Sequence, residues 1–373
     1  MDRVLWITEH YPPSRGGMAQ SCDRIVRGLR GAGVEVDVAH LTRRDRPWRV
    51  EREHGGRLLT APLGDDPEHA LRRLWTTVTA EGPASYGHVA GFGGTYSMLA
   101  APVLARLLDA PLITLLRGND IDVGVFSLRR RGVLADALRA SARVCVVARS
   151  HAPLVAAVAP RAPVTFVANS VDTTHWRLLP SEEAQGRAWR AANVEPERRT
   201  IGLIGQLKSK KGIGFFLDAL AASGHVETFH LVLIGEVEDD VTAWLAARDG
   251  AVRYSRLPFL DRYDLPARYA SCDLVALPSF YDGMPNVALE AAALGVPLLA
   301  SDAGGLADVA DDAIGFTFRA GDAHGCREAI DRAARVDDDA LGKLGAAAAE
   351  RIARDFTPAA ETAGYLRVLA ETR

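Results

Sequence analysis

Two carboxylates and a cluster of lysines are the residues whose types and spacing suggest chemistry. Asp282 and Glu290, with seven residues between them, lie in the run Pro278-Ser279-Phe280-Tyr281-Asp282-Gly283-Met284-Pro285-Asn286-Val287, which continues to Gly295-Val296-Pro297. The apolar run Leu274–Leu277 before it reads as a strand, Gly283 as part of a loop, and Pro285 as the first residue of a helix. Proline suits that position because its φ is fixed and its missing N–H is not needed there. A strand, a glycine-bearing loop and a helix N-terminus together make an anion site, since free N–H groups and the helix dipole point the same way. Acids around such a site imply a ligand that carries both phosphate and hydroxyls. The lysines add a cation. Of 44 basic residues only Lys208, Lys210, Lys211 and Lys343 are lysine. Three of them share one short window, which suggests a task for a compact ammonium. The plainer reading is a solvated charged loop.

Other strand-end loops carry weaker signals. Gly205-Gln206-Leu207-Lys208-Ser209-Lys210-Lys211-Gly212 follows a strand and precedes a helix starting near Ile213, a setting suited to a diphosphate. It is not a Walker A loop, because no Ser or Thr follows the last lysine. Gly16-Gly17 lets a backbone approach a phosphate, although G-x-G-x-x-G is absent and a Gly-Gly after a Pro-Pro is more often an ordinary turn. Gly91-Phe92-Gly93-Gly94-Thr95 either admits an acceptor or makes a tight turn. Arg117-Gly118-Asn119-Asp120-Ile121-Asp122 follows another strand, and one of its two acids reads as a cap of the next helix rather than the pair as metal ligands. His10, in the first loop, can act on a proton or a hydroxyl. The clusters Arg43–Arg49 and Arg129–Arg131 read as solvated surface, with an anionic acceptor or a membrane surface as the alternative.

The elements that position these loops alternate. Strands are expected at Val4–Ile7, Val34–Ala39, Val89–Phe92, Leu112–Leu115, Val144–Val147 and Val164–Val167. Helices are expected at Met18–Gly31, Tyr96–Leu108, Leu128–Ala140 and His151–Val158. A polar stretch, Thr173–Arg199, follows Asn169-Ser170-Val171-Asp172. A second series then begins: strands Thr200–Ile204, Phe229–Ile234, Val252–Ser255, Leu274–Leu277 and Leu298–Ser301, with helices Phe215–Ala222, Val241–Arg248 and Asp264–Ala270 between them. Helical stretches Gly325–Glu350 and Pro358–Leu369 close the chain. This order predicts two doubly wound α/β domains whose ligands bind outside the carboxyl ends of the strands, in the cleft between the domains.

Composition agrees. At 48% hydrophobic and 24% charged the 373-residue chain is globular, and its net charge of −3 argues against nucleic acid as a partner. No apolar run is long enough for a membrane span. The first residues read as a strand rather than a signal peptide. Four scattered cysteines make neither a metal pattern nor a disulfide framework, which suits a cytoplasmic location.

On these residues the chain resembles the GT-B glycosyltransferases, and within them the retaining glycosyltransferase family 4, over nearly its whole length. The resemblance rests on Gly16-Gly17, Arg117-Gly118-Asn119-Asp120, Asn169-x-Val171-Asp172, Gly205-x-Leu207 with Lys211-Gly212, the acids Asp282 and Glu290, Gly295-x-Pro297 and Gly304-Gly305. It implies an N-terminal acceptor-binding Rossmann-like domain (1–172) and a C-terminal domain binding a nucleotide-diphosphate sugar (173–357). A last helix (358–373) would cross back onto the first domain. The catalytic positions implied are Lys211 on the donor diphosphate, Asp282 on a hydroxyl of the transferred sugar, Arg117 and Asp120. Donor binding falls to Gly16, Gly17, Gln206, Lys208, Gly283, Met284, Pro285, Asn286, Val287 and Glu290, the last on the ribose. Backbone N–H groups over Gly283–Asn286 would hold anionic oxygens. Acceptor binding falls to His10, Gly93, Gly94 and Asn119, and the acceptor would be a small molecule or a glycan. The nucleotide sugar is a co-substrate, and neither a metal nor another cofactor is implied.

This chain departs from the family pattern in three places. Asp282 replaces a glutamate, shortening the reach by about 1.5 Å. Gln206 replaces an arginine, and Arg117 a histidine. The same fold also serves pseudo-glycosyltransferases, epimerases, phosphorylases and non-catalytic nucleotide-sugar binding proteins.

Overall fold

The computed structural model describes residues 3–14, 16–80, 82, 85–248 and 250–372. The chain divides into two units, one built from residues 1–169 and 358–373, the other from 170–357.

The strands of the first unit are β1 (Arg3–Thr8), β2 (Glu35–Thr42), β3 (Arg49–Glu53), β4 (Gly56–Pro62), β5 (His88–Phe92), β6 (Leu112–Leu116), β7 (Arg143–Val146) and β8 (Val164–Phe166). They form one sheet in the order β3-β4-β2-β1-β5-β6-β7-β8. The β3–β4 pair is antiparallel and every other pair is parallel. The order reverses between β1 and β5, which are adjacent. Central strands such as β5 and β6 are buried along their whole length, as strands covered on both faces must be. On one side of the sheet Trp6, Phe92 and Ile113 pack with Ile25 and Val26 of helix Gly17–Gly31, and with Tyr365 and Val368 of the last helix. On the other side Leu5, Ile7 and Leu59 pack with Leu74 and Val78 of helix Pro67–Thr79, and with Leu104 of helix Thr95–Leu107.

The last helix, Pro358–Glu371, is the reason the first unit is not continuous in sequence. Glu361 is 4% exposed and receives Arg24 in a two-pronged ion pair, 2.7 and 3.1 Å. Arg117 reaches the Tyr365 hydroxyl at 3.1 Å from the sheet side. A buried, bidentate arginine–carboxylate pair fixes register as well as contact.

The strands of the second unit are β9 (Arg199–Leu207), β10 (Phe229–Val237), β11 (Arg253–Leu257), β12 (Leu274–Leu277), β13 (Leu298–Ser301) and β14 (Gly315–Phe318). They lie in the order β11-β10-β9-β12-β13-β14, and all are parallel. Here the order reverses between β9 and β12. Helices Ile213–Ser223 and Ala323–Arg335 contribute Phe216, Leu217 and Ile330 to the core.

The expectation of two doubly wound parallel sheets holds, and several elements are additional. β3, reading Arg-Val-Glu-Arg-Glu, is charged and exposed on both faces, so it shows no alternation. Helix Pro180–Asn193, inside the stretch expected to be merely polar, has only Gly186 buried and so no apolar stripe. Its start is set by Pro180 and by Glu182, which accepts the Leu179 N–H at 2.8 Å. The single helix expected over Gly325–Glu350 is two, Ala323–Arg335 and Asp338–Asp355. The second is capped by Asp337, which accepts the Ala340 N–H at 2.7 Å.

Candidate functional site

An open parallel sheet offers a ligand the crevice outside its strand ends where the strand order reverses. In the second unit that point lies between β9 and β12. β9 leads into a single turn, Ser209–Lys211, and β12 into the loop Pro278–Pro285. The two loops are joined by the Phe280 N–H, which donates to the Lys210 carbonyl at 3.1 Å. Gly212 permits this approach. Its φ is +67°, and a Cβ there would collide with the Pro278 carbonyl oxygen. As a result the Lys211 ammonium pairs directly with Asp282 Oδ2, with the two side chains 25% and 15% exposed. Asp282 Oδ1 accepts the Gly283 N–H at 2.9 Å. Gly304 backs this loop from β13. Its φ is +56°, a Cβ would strike the Asp282 carbonyl, and the next N–H, of Gly305, donates to the Gly283 carbonyl at 2.5 Å.

Glu290 stands on the helix that follows, Asn286–Ala293. The Tyr269 hydroxyl donates to its Oε2 at 3.0 Å. Burial, and then the Glu290 carboxylate, push the Tyr269 phenol well above its ordinary range, so it remains a proton donor. The Trp176 ring meets Tyr269 edge-on at 5.9 Å. Sequence reading did not find Tyr269 or Trp176, because no spacing ties either to Glu290.

Several donor-side expectations change in detail. Gln206 is in a strand, not a loop, because β9 pairs with β10 as far as Leu207 opposite Val237. Gln206 therefore lies opposite Glu236 and donates to it at 3.3 Å. The Ser209 N–H and hydroxyl both go to Glu238 Oε2, at 2.8 and 3.0 Å, so acids at the end of β10 rim the lysine turn. Lys208 is half-buried, and Lys210 lies over the Tyr281 ring at 5.8 Å. Pro285, with φ −69° and ψ 131°, is the cap residue, and the helix begins at Asn286. Having no N–H, Pro285 interrupts the row of amides expected over Gly283–Asn286. Met284 is buried and Val287 half-buried, the latter facing Gly205.

In the first unit the expected residues gather where β1, β5 and β6 end. Gly16, φ +108°, caps helix Gly17–Gly31, and Gly17 is its first residue. Arg15 beside them lies outside the described residues. The His10 N–H donates to Thr8 Oγ1 at 2.9 Å, and burial lowers the imidazole pKa, so it is neutral near pH 7. Gly94 caps helix Thr95–Leu107. Glu9, which the sequence did not single out, accepts the Tyr96 N–H at 2.6 Å and the Ser97 N–H at 3.4 Å at that helix start. Gly93 lies beside Asp120 and Arg117.

Arg117 and Asp120 are both engaged with groups of their own unit. Arg117 is 8% exposed, bonded to Tyr365 and Asn169 and seated over the Phe92 ring at 5.3 Å. The Asp120 carboxylate accepts the N–H groups of Arg117, Gly118 and Ile121 at 2.7–3.0 Å, which shapes the loop that bears the exposed Asn119. Among the described residues no group of three His, Cys, Asp or Glu is placed to hold a metal ion, and no helix is long and apolar enough to cross a membrane.

Two family models match, "Glycosyl transferase 4-like domain" over residues 16–170 and "Glycosyl transferases group 1" over residues 198–335. Together they span more than three quarters of the chain. The chain belongs to glycosyltransferase family 4. It is 27% identical over 329 residues to an uncharacterised glycosyltransferase of Methanocaldococcus jannaschii, covering 82% of each. It is 24% identical over 404 residues to the GDP-mannose-dependent alpha-(1-6)-phosphatidylinositol monomannoside mannosyltransferase of Mycobacterium tuberculosis, covering 98% of each. Among solved structures, Anabaena HepE in complex with UDP and glucose superposes with a TM-score of 0.80 at 17% identity, over all of both chains, and shares the GT-B fold. In this family 4 glycosyltransferase the structure thus brings Lys211, Asp282 and Gly283 together, with Glu290 on the adjoining helix. His10, Gly93, Gly94, Arg117 and Asp120 belong to the other unit.

Proposed function

We propose that this glycosyltransferase moves a hexose from a nucleotide-diphosphate sugar to an acceptor hydroxyl with retention of anomeric configuration and without a metal ion. The observation that carries this reading is the Lys211–Asp282 pair at the strand-order reversal of the second unit, followed by Glu290 held by Tyr269. One cation for a diphosphate, one acid for sugar hydroxyls and one acid for a ribose match the three parts of such a donor. The similar proteins agree: the mycobacterial mannosyltransferase is GDP-mannose-dependent, and the fold neighbour HepE was solved with UDP and glucose.

In this scheme the acceptor hydroxyl attacks the anomeric carbon on the face from which the nucleoside diphosphate leaves. A phosphate oxygen of the leaving group takes the acceptor proton. Lys211 stabilises the charge that develops on that oxygen, and the helix starting at Asn286 adds its dipole. Asp282 orients the sugar, and Glu290 binds the ribose. Gly16 and Gly17 contribute to the diphosphate, while His10, Gly93, Gly94 and Asn119 of the first unit serve the acceptor. The acceptor is a small molecule or a glycan. All four cysteines are unpaired and buried, which suits the cytoplasm.

A thermal-shift screen of UDP, GDP, ADP and dTDP tests the donor assignment. At a hundred times Kd the matching nucleotide stabilises by about 2.7 kcal/mol, which raises the midpoint by roughly 5–10 °C. Proton NMR of the product made from the corresponding sugar nucleotide then reads the anomeric configuration. No stabilisation by any of the four removes the donor assignment, and an inverted product removes retention.

A further inference from the structure

One face of the first unit combines bare apolar side chains with arginines that the fold does not use. The segment between the short helix at Asn119–Asp122 and helix Arg131–Ala140 carries Phe126, 83% exposed, and Leu128, fully exposed. The other exposed large apolar residues of this unit lie between 41% and 58%. Three of them, Leu99, Val103 and Leu107, recur every fourth residue along helix Thr95–Leu107. Such spacing makes one stripe, and here it is the outward stripe, since Ser97, Met98, Ala101 and Leu104 of the same helix are buried. Helix Arg131–Ala140 packs against this helix, so the stripe and the Phe126–Leu128 tip belong to one layer. Exposed apolar side chains gathered on one layer mark an interaction surface.

Charge identifies what covers it. Arg129, Arg130 and Arg131 follow directly, and none has an acidic partner among the described residues. They also sit at the wrong end of a helix: Arg131 is its first residue, and its first turn holds no acid. The positive end of a helix dipole repels cations, so this placement costs the fold something and does not cap it. Phe126, Leu128, Arg131 and Arg139 border a shallow depression of about 440 Å³, the size of a small polar headgroup with room to spare. The chain as a whole is acidic, with net charge −3, so this positive patch is local.

We infer that this face docks the protein on an anionic lipid surface, with Phe126 and Leu128 inserted at the headgroup boundary and Arg129, Arg130 and Arg131 on the lipid phosphates. Two features favour lipid over an acidic protein: Phe126 and Leu128 are exposed to nearly the full extent of their side chains, and three arginines follow them directly in sequence. This is the arrangement by which a surface segment gains from both apolar insertion and charge. The docking inference does not depend on which donor or acceptor the enzyme uses.

Co-sedimentation of the full chain with vesicles tests it. The protein should pellet with vesicles of equal phosphatidylglycerol and phosphatidylcholine at low salt, not with phosphatidylcholine alone, and salt should release it. Replacing Arg129, Arg130 and Arg131 together by Gln should weaken partitioning about 10²-fold, roughly fivefold for each charge. F126S/L128S should weaken it while leaving the charge intact. Both variants alter exposed or half-exposed side chains, so unchanged melting confirms that they are folded. R43Q/R44Q/R46Q, which changes the other arginine cluster, should bind as the unaltered protein does. Absence of anionic-vesicle binding overturns the inference. So does binding lost only in the Arg43 variant, or binding to polyglutamate that is as tight as to vesicles and indifferent to F126S/L128S, which would indicate an acidic polypeptide partner.

Discussion

Asp282→Asn should tighten binding of the bare nucleoside diphosphate while slowing sugar transfer. In the structure Lys211 is tied to Asp282, and both side chains are largely shielded from water. A diphosphate that engages Lys211 must compete with that carboxylate and is itself repelled by it. Two unit charges 4 Å apart interact by about 4 kcal/mol at an effective dielectric constant near 20. The quarter-exposed lysine keeps part of its hydration, which reduces the working figure to about 1.5–3 kcal/mol. That corresponds to roughly 10- to 150-fold in Kd. Asparagine preserves the size of the side chain and removes only the charge. The sugar contact is lost at the same time, so kcat/KM should fall by about 10²-fold. Titration calorimetry with the nucleoside diphosphate that stabilises the protein measures the first effect, and initial rates measure the second. In a double-mutant cycle the gain in affinity should shrink on a Lys211→Ala background, because competition for the lysine is gone and only the direct repulsion by the carboxylate remains. A Kd for D282N within twofold of the unaltered protein, with the fold intact by circular dichroism, refutes the reasoning.

Two further outcomes follow from the first unit. His40, at the end of β2 and 2% exposed, has its imidazole pKa pushed down to about 4 by burial, then by the charges of Arg46, His10 and Arg44. A base whose folded pKa lies below its unfolded value of about 6.5 is protonated first in the unfolded chain. Its contribution to stability is therefore full above pH 6.5 and falls with pH by up to about 1.4 kcal/mol per unit, about 3 kcal/mol by pH 4. Urea unfolding of His40→Gln against the unaltered protein should give curves that converge on acidification, and parallel curves would contradict the assignment. Glu361→Ala removes the acid that clasps Arg24, leaving a mostly buried guanidinium without that carboxylate. The first unit should lose about 2–3 kcal/mol, seen by calorimetry as a fall of roughly 5–10 °C in its transition. An unchanged midpoint would mean that the Arg24–Glu361 pair adds nothing to the hold on the last helix.

Much of the site was legible in the sequence because its parts are local. Asp282, Gly283 and Glu290 belong to one strand–loop–helix unit, and a lysine turn after a strand is a short pattern too. The apolar runs likewise placed most strands of both sheets, since buried parallel strands read as continuous apolar segments. Elements without such a signal were not readable. β3 is charged on both faces, helix Pro180–Asn193 buries almost nothing, and the break between the two helices near Val336 rests on an aspartate cap.

What the sequence by itself determined was the kinds of groups available and the local elements that carry them. A cation, two acids and glycines at strand ends follow from residue type, spacing and backbone preference, each of which acts over a few residues. Which strand lies beside which was decided only in three dimensions. The neighbouring positions of β9 and β12 bring Lys211 to Asp282 across seventy-one positions, and at Gly212 and Gly304 a Cβ would strike the carbonyls of Pro278 and Asp282, which are not local in sequence. The pairing of β9 with β10 turned Gln206 from a loop residue into Glu236's neighbour. Closure of the last helix gave Arg24 its partner Glu361 and Arg117 its partner Tyr365. These outcomes depend on burial and on contact between segments remote in sequence, for which the order of residues along one chain carries no direct mark.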